Sequence, residues 1–501
     1  RGAIRFFGRG LAASGAALAM TSAALAGGSA ENILLIINPG SAESMYLGNY
    51  YKNARNIPDR NVLYIDPSAP DYAAFTGANG NQDGFLGYLA NAKLSDHIDY
   101  IVLASTGSFF VSAPGYITDS CWPVARFSQS SVFTMAFIKN TILPGNLPST
   151  TTNQYFSQDP AQPRAFSSAI TWLGGSPTAL PNTPRYFISA QLGYTGANGN
   201  TLNEILTMID RDVAADNTRP AGSFYYMNNI ADPIRNIRAC GSFSGCAGPT
   251  PIYTNAVNAL IARGASAQVM AGMLPTGMQN CLGIMTGNAT LPIETEVMTL
   301  LPGAFCDHLT SWAATFDNGS QTTVASWIRK GAAASSGEVE EPCAYPGKFP
   351  APNMHVHYFQ GLSLGEAWLR SLNYVPFQHL LYGDPMTRPF ATLPSVNATV
   401  PAGPVGGRVS FTPSASTTLS GAAIANLDLL IDGVFQSRIT PGQQFSINTL
   451  PLADGWHELR ILAYDNTLVK NTGRWIGTLN VNNFGRAATL GVLPPSGDMT
   501  T

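Results

Sequence analysis

The 501-residue chain predicts an α/β protein with a mainly parallel sheet, followed by a smaller antiparallel β-sandwich. Three observations carry this expectation. From Glu31 onward, short apolar runs rich in β-branched residues alternate with longer amphipathic stretches, the pattern of βαβ units. After "LPSVNATVPAGPVGG" the helical period stops and alternating apolar residues with "DG" turns take over. The length also exceeds one domain of about 100 to 200 residues.

The elements follow in order. Arg1, Arg5 and Arg9 precede an Ala- and Leu-rich run from Leu11 to Leu25 that ends in Ala24-Leu25-Ala26, so residues 1–26 read as a cleaved signal peptide. Its apolar run is shorter than the ~20 residues a membrane span needs. No later stretch reaches that length. The mature chain is therefore expected to be exported (periplasmic, cell-surface or extracellular) and free of the membrane.

"NILLIIN" is the first strand, "ESMYLGNYYKNARNI" a helix with Met45, Tyr50, Ala54 and Ile57 near helical spacing, and "NVLYID" the next strand. "GFLGYLANAKL" is a helix and "DYIVLAST" a buried strand. A Pro-rich polar stretch over about 114–184 then reads as an insertion, a common carrier of recognition surfaces. The rhythm resumes with strands at "RYFISAQL", "GSFYYMN", "AQVMAG" and "AAASSGEV" and helices at "NTLNEILTMIDRDVAAD", "YTNAVNALIARG" and "TTVASWIRKG". "SLGEAWLRSLNYV" and "HLLYGDP" close the α/β domain, expected over 31–392. The β-sandwich is expected over 396–484 and a flexible tail over 485–501. "TGANGN" occurs at 76–81 and 195–200, each ahead of a helix, and reads as a turn with an N-cap.

Net charge is only −3, so no basic field exists to attract nucleic acid. The six cysteines fit an oxidising compartment, and Cys240 and Cys246, which flank "GSFSG", are the one pairing the spacing suggests. No C-x-x-C or H-x-x-x-H spacing points to a metal, and no cofactor is expected. "HVHY" sets two histidines on one face if extended, too few for a metal site without a third ligand.

The densest chemistry is in "GAFCDHLTSW", which gathers Cys306, Asp307, His308 and Ser311 although only 11% of residues are charged. Asp, His and Ser or Cys are the types used in nucleophilic catalysis. Neighbours on a strand point to opposite faces, however, so a literal Asp307-His308-Ser311 triad needs a loop. Cys343 and Glu341, beside the unusual "EVEEPC", add a thiol and a carboxylate. An open parallel sheet binds beyond its strands' carboxyl ends, which singles out Asn38, Ser105, Thr106 and Gln191 as pocket residues.

The segments "LPGAFCDHLTSWAATF", "TTVASWIRKGAAASSGEVEEPCAYPGKFPAPNMHVHYFQGLSLGEAWLRSL" and "LLYGDPMTRPF", with "NILLIINPGSAESMYLGNYYKNARNIPDRNV" upstream, resemble an uncharacterised family of exported bacterial proteins over about residues 31 to 392. The layout is more distantly similar to gingipain-type cysteine peptidases, which implies a caspase-like sheet followed by an immunoglobulin-like domain. That resemblance also implies a His-Gly after "DYIVLAST" and a catalytic Cys after "DHLTSWAATF". Those places hold Ser105-Thr106-Gly107 and Ser311-Trp312, so the dyad is missing. The fold would set Thr106 and Ser311 side by side at the sheet's carboxyl edge. Two readings follow. One is a hydrolase with a rebuilt site, with Ser311 or Cys343 as nucleophile, His308 as base and Asp307 or Glu341 orienting it. The other is a non-catalytic protein holding a protein, peptide or surface ligand in the same pocket or on the β-sandwich.

Overall fold

The computed structural model describes residues 28–117, 124–145, 150–242, 249–343 and 345–485. The expected signal peptide over 1–26, Cys121, Cys246 and residues 486–501 of the expected tail lie outside them.

The fold is mixed α/β, with a ten-stranded, mostly parallel sheet flanked by helices and several smaller antiparallel sheets. The large sheet comprises β1 (Ile33–Ile37), β2 (Val62–Tyr64), β3 (Tyr100–Leu103), β4 (Ile188–Gln191), β5 (Ser223–Asn228), β6 (Ser266–Ala271), β7 (Cys281–Gly287), β8 (Leu300–Leu309), β9 (Ala334–Glu338) and β10 (His379–Gly383). Its spatial order is β6-β5-β7-β8-β9-β10-β4-β3-β1-β2. The central strands are apolar runs because both faces are covered: all five residues of β1 are buried, as are all seven of β7. β7 has no counterpart among the sequence expectations, because the glycines and the threonine of "CLGIMTG" dilute its apolar signal.

β2, β1, β3 and β4 pair in parallel, as do β6, β5, β7, β8 and β9. β10 stands between the two groups and is antiparallel to β9, with Glu338 facing His379 and Ala334 facing Gly383. Contacts at both ends show the two groups running the same way: Arg211, late in the helix that follows β4, donates to Leu300 O at the start of β8, and Asn198 after β4 donates from Nδ2 to Phe316 O after β8.

Helix ends follow their capping residues. In α1 (Ala42–Arg55), Ser41 accepts from Ser44 N and Asn56 closes the C-terminus in the left-handed conformation. In α2 (Leu202–Ala215), Thr201 and Glu204 form a reciprocal capping box. Each "TGANGN" is a turn, with Asn79 and Asn198 at φ 62° and 57°. The "HVHY" histidines lie in α3 (Asn353–Phe359) rather than in an extended segment, so i and i+2 do not share a face. His355 and His357 are both buried, each with Nε2 on a carbonyl oxygen, Phe305 O at 3.1 Å and Ser157 O at 3.0 Å.

Two motifs join through a buried ion pair. Arg55 of "NARNIP" donates from Nε to Asp384 of "LLYGDP" at 2.8 Å and also meets Asp216, while Tyr51 Oη donates to Asp384 at 2.7 Å. Beyond residue 394 the strands are antiparallel; the largest group is a four-stranded sheet spanning Ile424–Ile431, Val434–Ile439, Gly455–Asp465 and Thr472–Val481. Its Arg460 reaches Glu31 at 2.8 Å, both side chains buried. No described helix is long and apolar enough to cross a membrane.

Candidate functional site

"CDHLTS" forms the end of β8 and the turn after it. As expected for neighbours on a strand, Asp307 and His308 point to opposite faces. Asp307 is fully buried, forms an ion pair with Arg238 and accepts from Ser336 Oγ at 2.8 Å. Arg238 also donates to Thr286 O at 2.7 Å. This carboxylate holds an arginine and does not orient a histidine.

His308 is equally buried. Its Nδ1 lies 3.0 Å from Trp327 Nε1 and its Nε2 lies 2.9 Å from Thr322 O. An indole N–H can only donate and a carbonyl can only accept, so the ring is held as the neutral Nε2–H tautomer with both nitrogens engaged. Burial also pushes its pKa below the usual histidine value. Its assignment as a base is corrected on these grounds: no lone pair is left to receive a proton.

Ser311 is half-buried just past the strand, and no described residue hydrogen-bonds its hydroxyl. The turn is fastened by Gln321 Oε1, which accepts from Thr310 Oγ1 at 2.6 Å and from Trp312 N at 2.9 Å. Beside it lies a cavity of about 230 Å³ lined by Asn198, Glu294, Gln321, Thr322 and Arg329. Glu294 is taken by Arg329 at 2.7 Å. Cys343 is held in a disulfide, so the thiolate nucleophile is corrected too. Glu341 accepts from Cys343 N at 3.1 Å and shapes that turn, without contact to His308. Cys306 is a free thiol, but it is fully buried and its pKa is raised well above the usual value.

The second group of candidates is gathered around the ends of β3 and β4. Gln191 Nε2 donates to Ser105 O at 3.1 Å and Ser108 O at 2.8 Å, tying the loop after β3 to β4. Thr106 Oγ1 donates to Glu43 at 3.1 Å, and Thr195 Oγ1 donates to the same carboxylate at 2.6 Å. Asn38 caps its own turn, its Oδ1 accepting from Gly40 N at 2.8 Å. The residues after β4 and after β8 meet: Thr195 N donates to Thr106 O at 3.2 Å, the adjoining Tyr194 ring stacks on Phe316 at 4.9 Å, and Asn198 Nδ2 donates to Phe316 O at 2.8 Å. The loops that carry Thr106 and Ser311 therefore lie at one edge of the sheet, and no hydrogen bond joins the two side chains among the described residues.

Sequence reasoning passed over one carboxylate–imidazole pair. Glu338 Oε1 lies 2.8 Å from His379 Nδ1, both side chains buried, with His379 stacked near Trp368 and edge-on to Phe349. The signal was a glutamate and a histidine inside strands that are otherwise apolar or small. Glu340 of the same acidic run accepts from Ala125 N and Arg126 N at 2.5 and 2.8 Å, and burial raises its pKa. No group of three or more metal-ligating side chains occurs among the described residues.

No protein-family model and no curated protein matches the chain. Among solved structures, it is similar to the complex of Porphyromonas gingivalis RgpB pro- and mature domains, at 11% identity and TM-score 0.44, over 90% of this chain and 100% of that chain. The fibronectin(III)-like modules of Clostridium thermocellum CbhA are similar at 18% identity and TM-score 0.16, over 23% of this chain and 58% of theirs. A superoxide reductase (neelaredoxin) from Ignicoccus hospitalis is similar at 16% identity and TM-score 0.14, over 18% of this chain and 81% of that chain. These likenesses are distant.

Proposed function

We propose that this chain is an exported, non-catalytic binding protein built on a caspase-like, gingipain-type α/β domain with an immunoglobulin-like β-sandwich behind it. The observation that carries the reading is the state of His308, buried with both ring nitrogens engaged by Trp327 and Thr322. A general base needs a free nitrogen within reach of the group it deprotonates. The other roles of a rebuilt hydrolase are likewise taken: Asp307 by Arg238, and Cys343 by its disulfide. The missing His-Gly and Cys of the gingipain-type pattern agree with this, since Ser105-Thr106-Gly107 and Ser311-Trp312 stand in their places. The pocket-side polar groups then serve as architecture, and recognition falls to other surfaces.

The test is labelling of the purified mature protein with general serine- and cysteine-reactive probes, followed by mapping of modified residues. The expected outcome is no labelling of folded protein. Modification of Ser311 that disappears in His308→Ala would overturn the proposal and restore the hydrolase.

A further inference from the structure

Between β3 and β4 the chain forms a groove of about 740 Å³, lined by side chains from within the segments 137–141, 151–154 and 182–186, Lys139 and Asn153 excepted, and by Val375. Among its described lining residues, the one charged side chain is Arg185. That guanidinium lies 4.2 Å from the Phe137 ring centroid, with Nε donating to Ser168 O at 2.5 Å. The rest of the polar lining is amide and hydroxyl, including Asn140, Thr152, Gln154 and Asn182. Apart from that guanidinium, the described lining carries no charge and offers neutral donors and acceptors.

A second observation concerns the main chain. Thr152 pairs with Tyr374 in an isolated antiparallel bridge. The flanking bonds run from Val375 N to Thr151 O at 2.8 Å and from Asn153 N to Asn373 O at 2.9 Å. Thr152 is thus the residue whose own N–H and C=O face away from its partner strand. Neither group has a main-chain hydrogen bond among the described residues. Two residues further on, the same edge is occupied: Gln154 N donates to Tyr186 Oη at 3.4 Å and Gln154 O accepts from Gly175 N at 2.8 Å. Thr152, the open position, lines the groove.

We propose that this groove binds an uncharged peptide segment in extended conformation, added as a strand beside Thr152. Main-chain pairing supplies affinity in strand addition, and side-chain amides, which both donate and accept, suit the alternating N–H and C=O groups of a peptide. A saccharide fits less well, since sugar stacking needs an open aromatic face. Phe137 is covered by Arg185 on one side and stacks on Phe187 at 4.6 Å, while Tyr186 is 2% exposed. The assignment rests on the reading of the chain as a binder, and it names the surface and ligand class.

The test uses the full mature chain against an array of uncharged peptides of about ten residues, beside an array of neutral oligosaccharides. Capture of peptides is expected, with affinity lowered about tenfold or more by Thr152→Pro, which deletes the donor on an edge where proline is tolerated. If Thr152→Pro does not fold, N-methylation of alternate peptide amides gives the same information, with one phase abolishing binding and the other leaving it. Capture of oligosaccharides alone, capture of nothing, or peptide binding indifferent to both changes overturns the proposal. Cleavage of the captured peptides, read by mass spectrometry, would instead overturn the non-catalytic reading and leave the groove assignment standing.

Discussion

At the scale of single residues, the lesson lies in what His308 touches. A histidine between an aspartate and a serine invites a catalytic assignment, yet the imidazole bridges Trp327 and Thr322 across the core. Removing it leaves the buried Trp327 indole N–H without a partner, at roughly 1 to 3 kcal/mol, and adds the loss of a buried ring's packing and of the bond to the half-buried Thr322 carbonyl. His308→Ala should therefore lower the unfolding free energy on the order of 3 kcal/mol in urea titrations, whereas a surface-poised base would cost little stability. Asp384 has the same character. Asp384→Ala takes one of the two carboxylates from the buried Arg55, leaving Asp216, and removes the acceptor of Tyr51 Oη; it should destabilise by about 3 kcal/mol in the same assay. Arg55→Met combined with Asp384→Leu should recover much of that loss, since removing both charges removes the desolvation cost.

At the scale of elements, the junction of β9 and β10 is closed by tight main-chain packing. Gly383 closes β10 at φ 122°, and a Cβ there would lie 2.4 Å from Ala333 O. Gly383→Ala should cost at least about 2 kcal/mol, seen as a lower denaturation midpoint with unchanged slope. Two neighbouring helices carry opposite pH effects. Burial pushes His357 of α3 down to about 4, so between pH 6.5 and 4 the unfolded chain binds a proton that the folded chain refuses. Burial pushes Glu366, in the helix Leu364–Ser371, up to about 7, so between pH 4.5 and 7 the folded chain keeps a proton that the unfolded chain releases. Relative to His357→Gln, the wild type should lose stability as pH falls through the first window. Relative to Glu366→Gln, it should lose stability as pH rises through the second. Urea midpoints at pH 4.5, 5.5, 6.5 and 7.5 read both, and slopes of the reverse sign would refute the assignment.

At the scale of the whole molecule, the antiparallel C-terminal sheet is held against the large sheet by buried charge. Arg460 meets Glu31 at 2.8 Å and Arg474 lies 3.8 Å from the same carboxylate, whose pKa is lowered by these cations against the opposing effect of burial. Arg60 Nε also donates to Asp432 O at 2.9 Å. Arg460→Ala leaves Glu31 buried beside a single, more distant cation. The expected result is earlier proteolytic cutting near residues 392–408 and a thermal transition that splits in two. One unchanged transition would show that the contact contributes little.

The alternation of strands and helices, the change of pattern near residue 395 and the scarcity of charge were legible because they are local or compositional. Periodicity and turn residues act over a few positions, so "NILLIIN", "RYFISAQL" and "HLLYGDP" announced their strands, and "TGANGN" announced its turns. The candidate site was legible only as a collection of reactive types. Whether Asp307 orients His308 and whether Cys343 is free depend on partners far away in the chain: Arg238, Trp327 and a disulfide. Those are decided by tertiary packing, because a side chain's protonation, reach and access are set by what surrounds it in space.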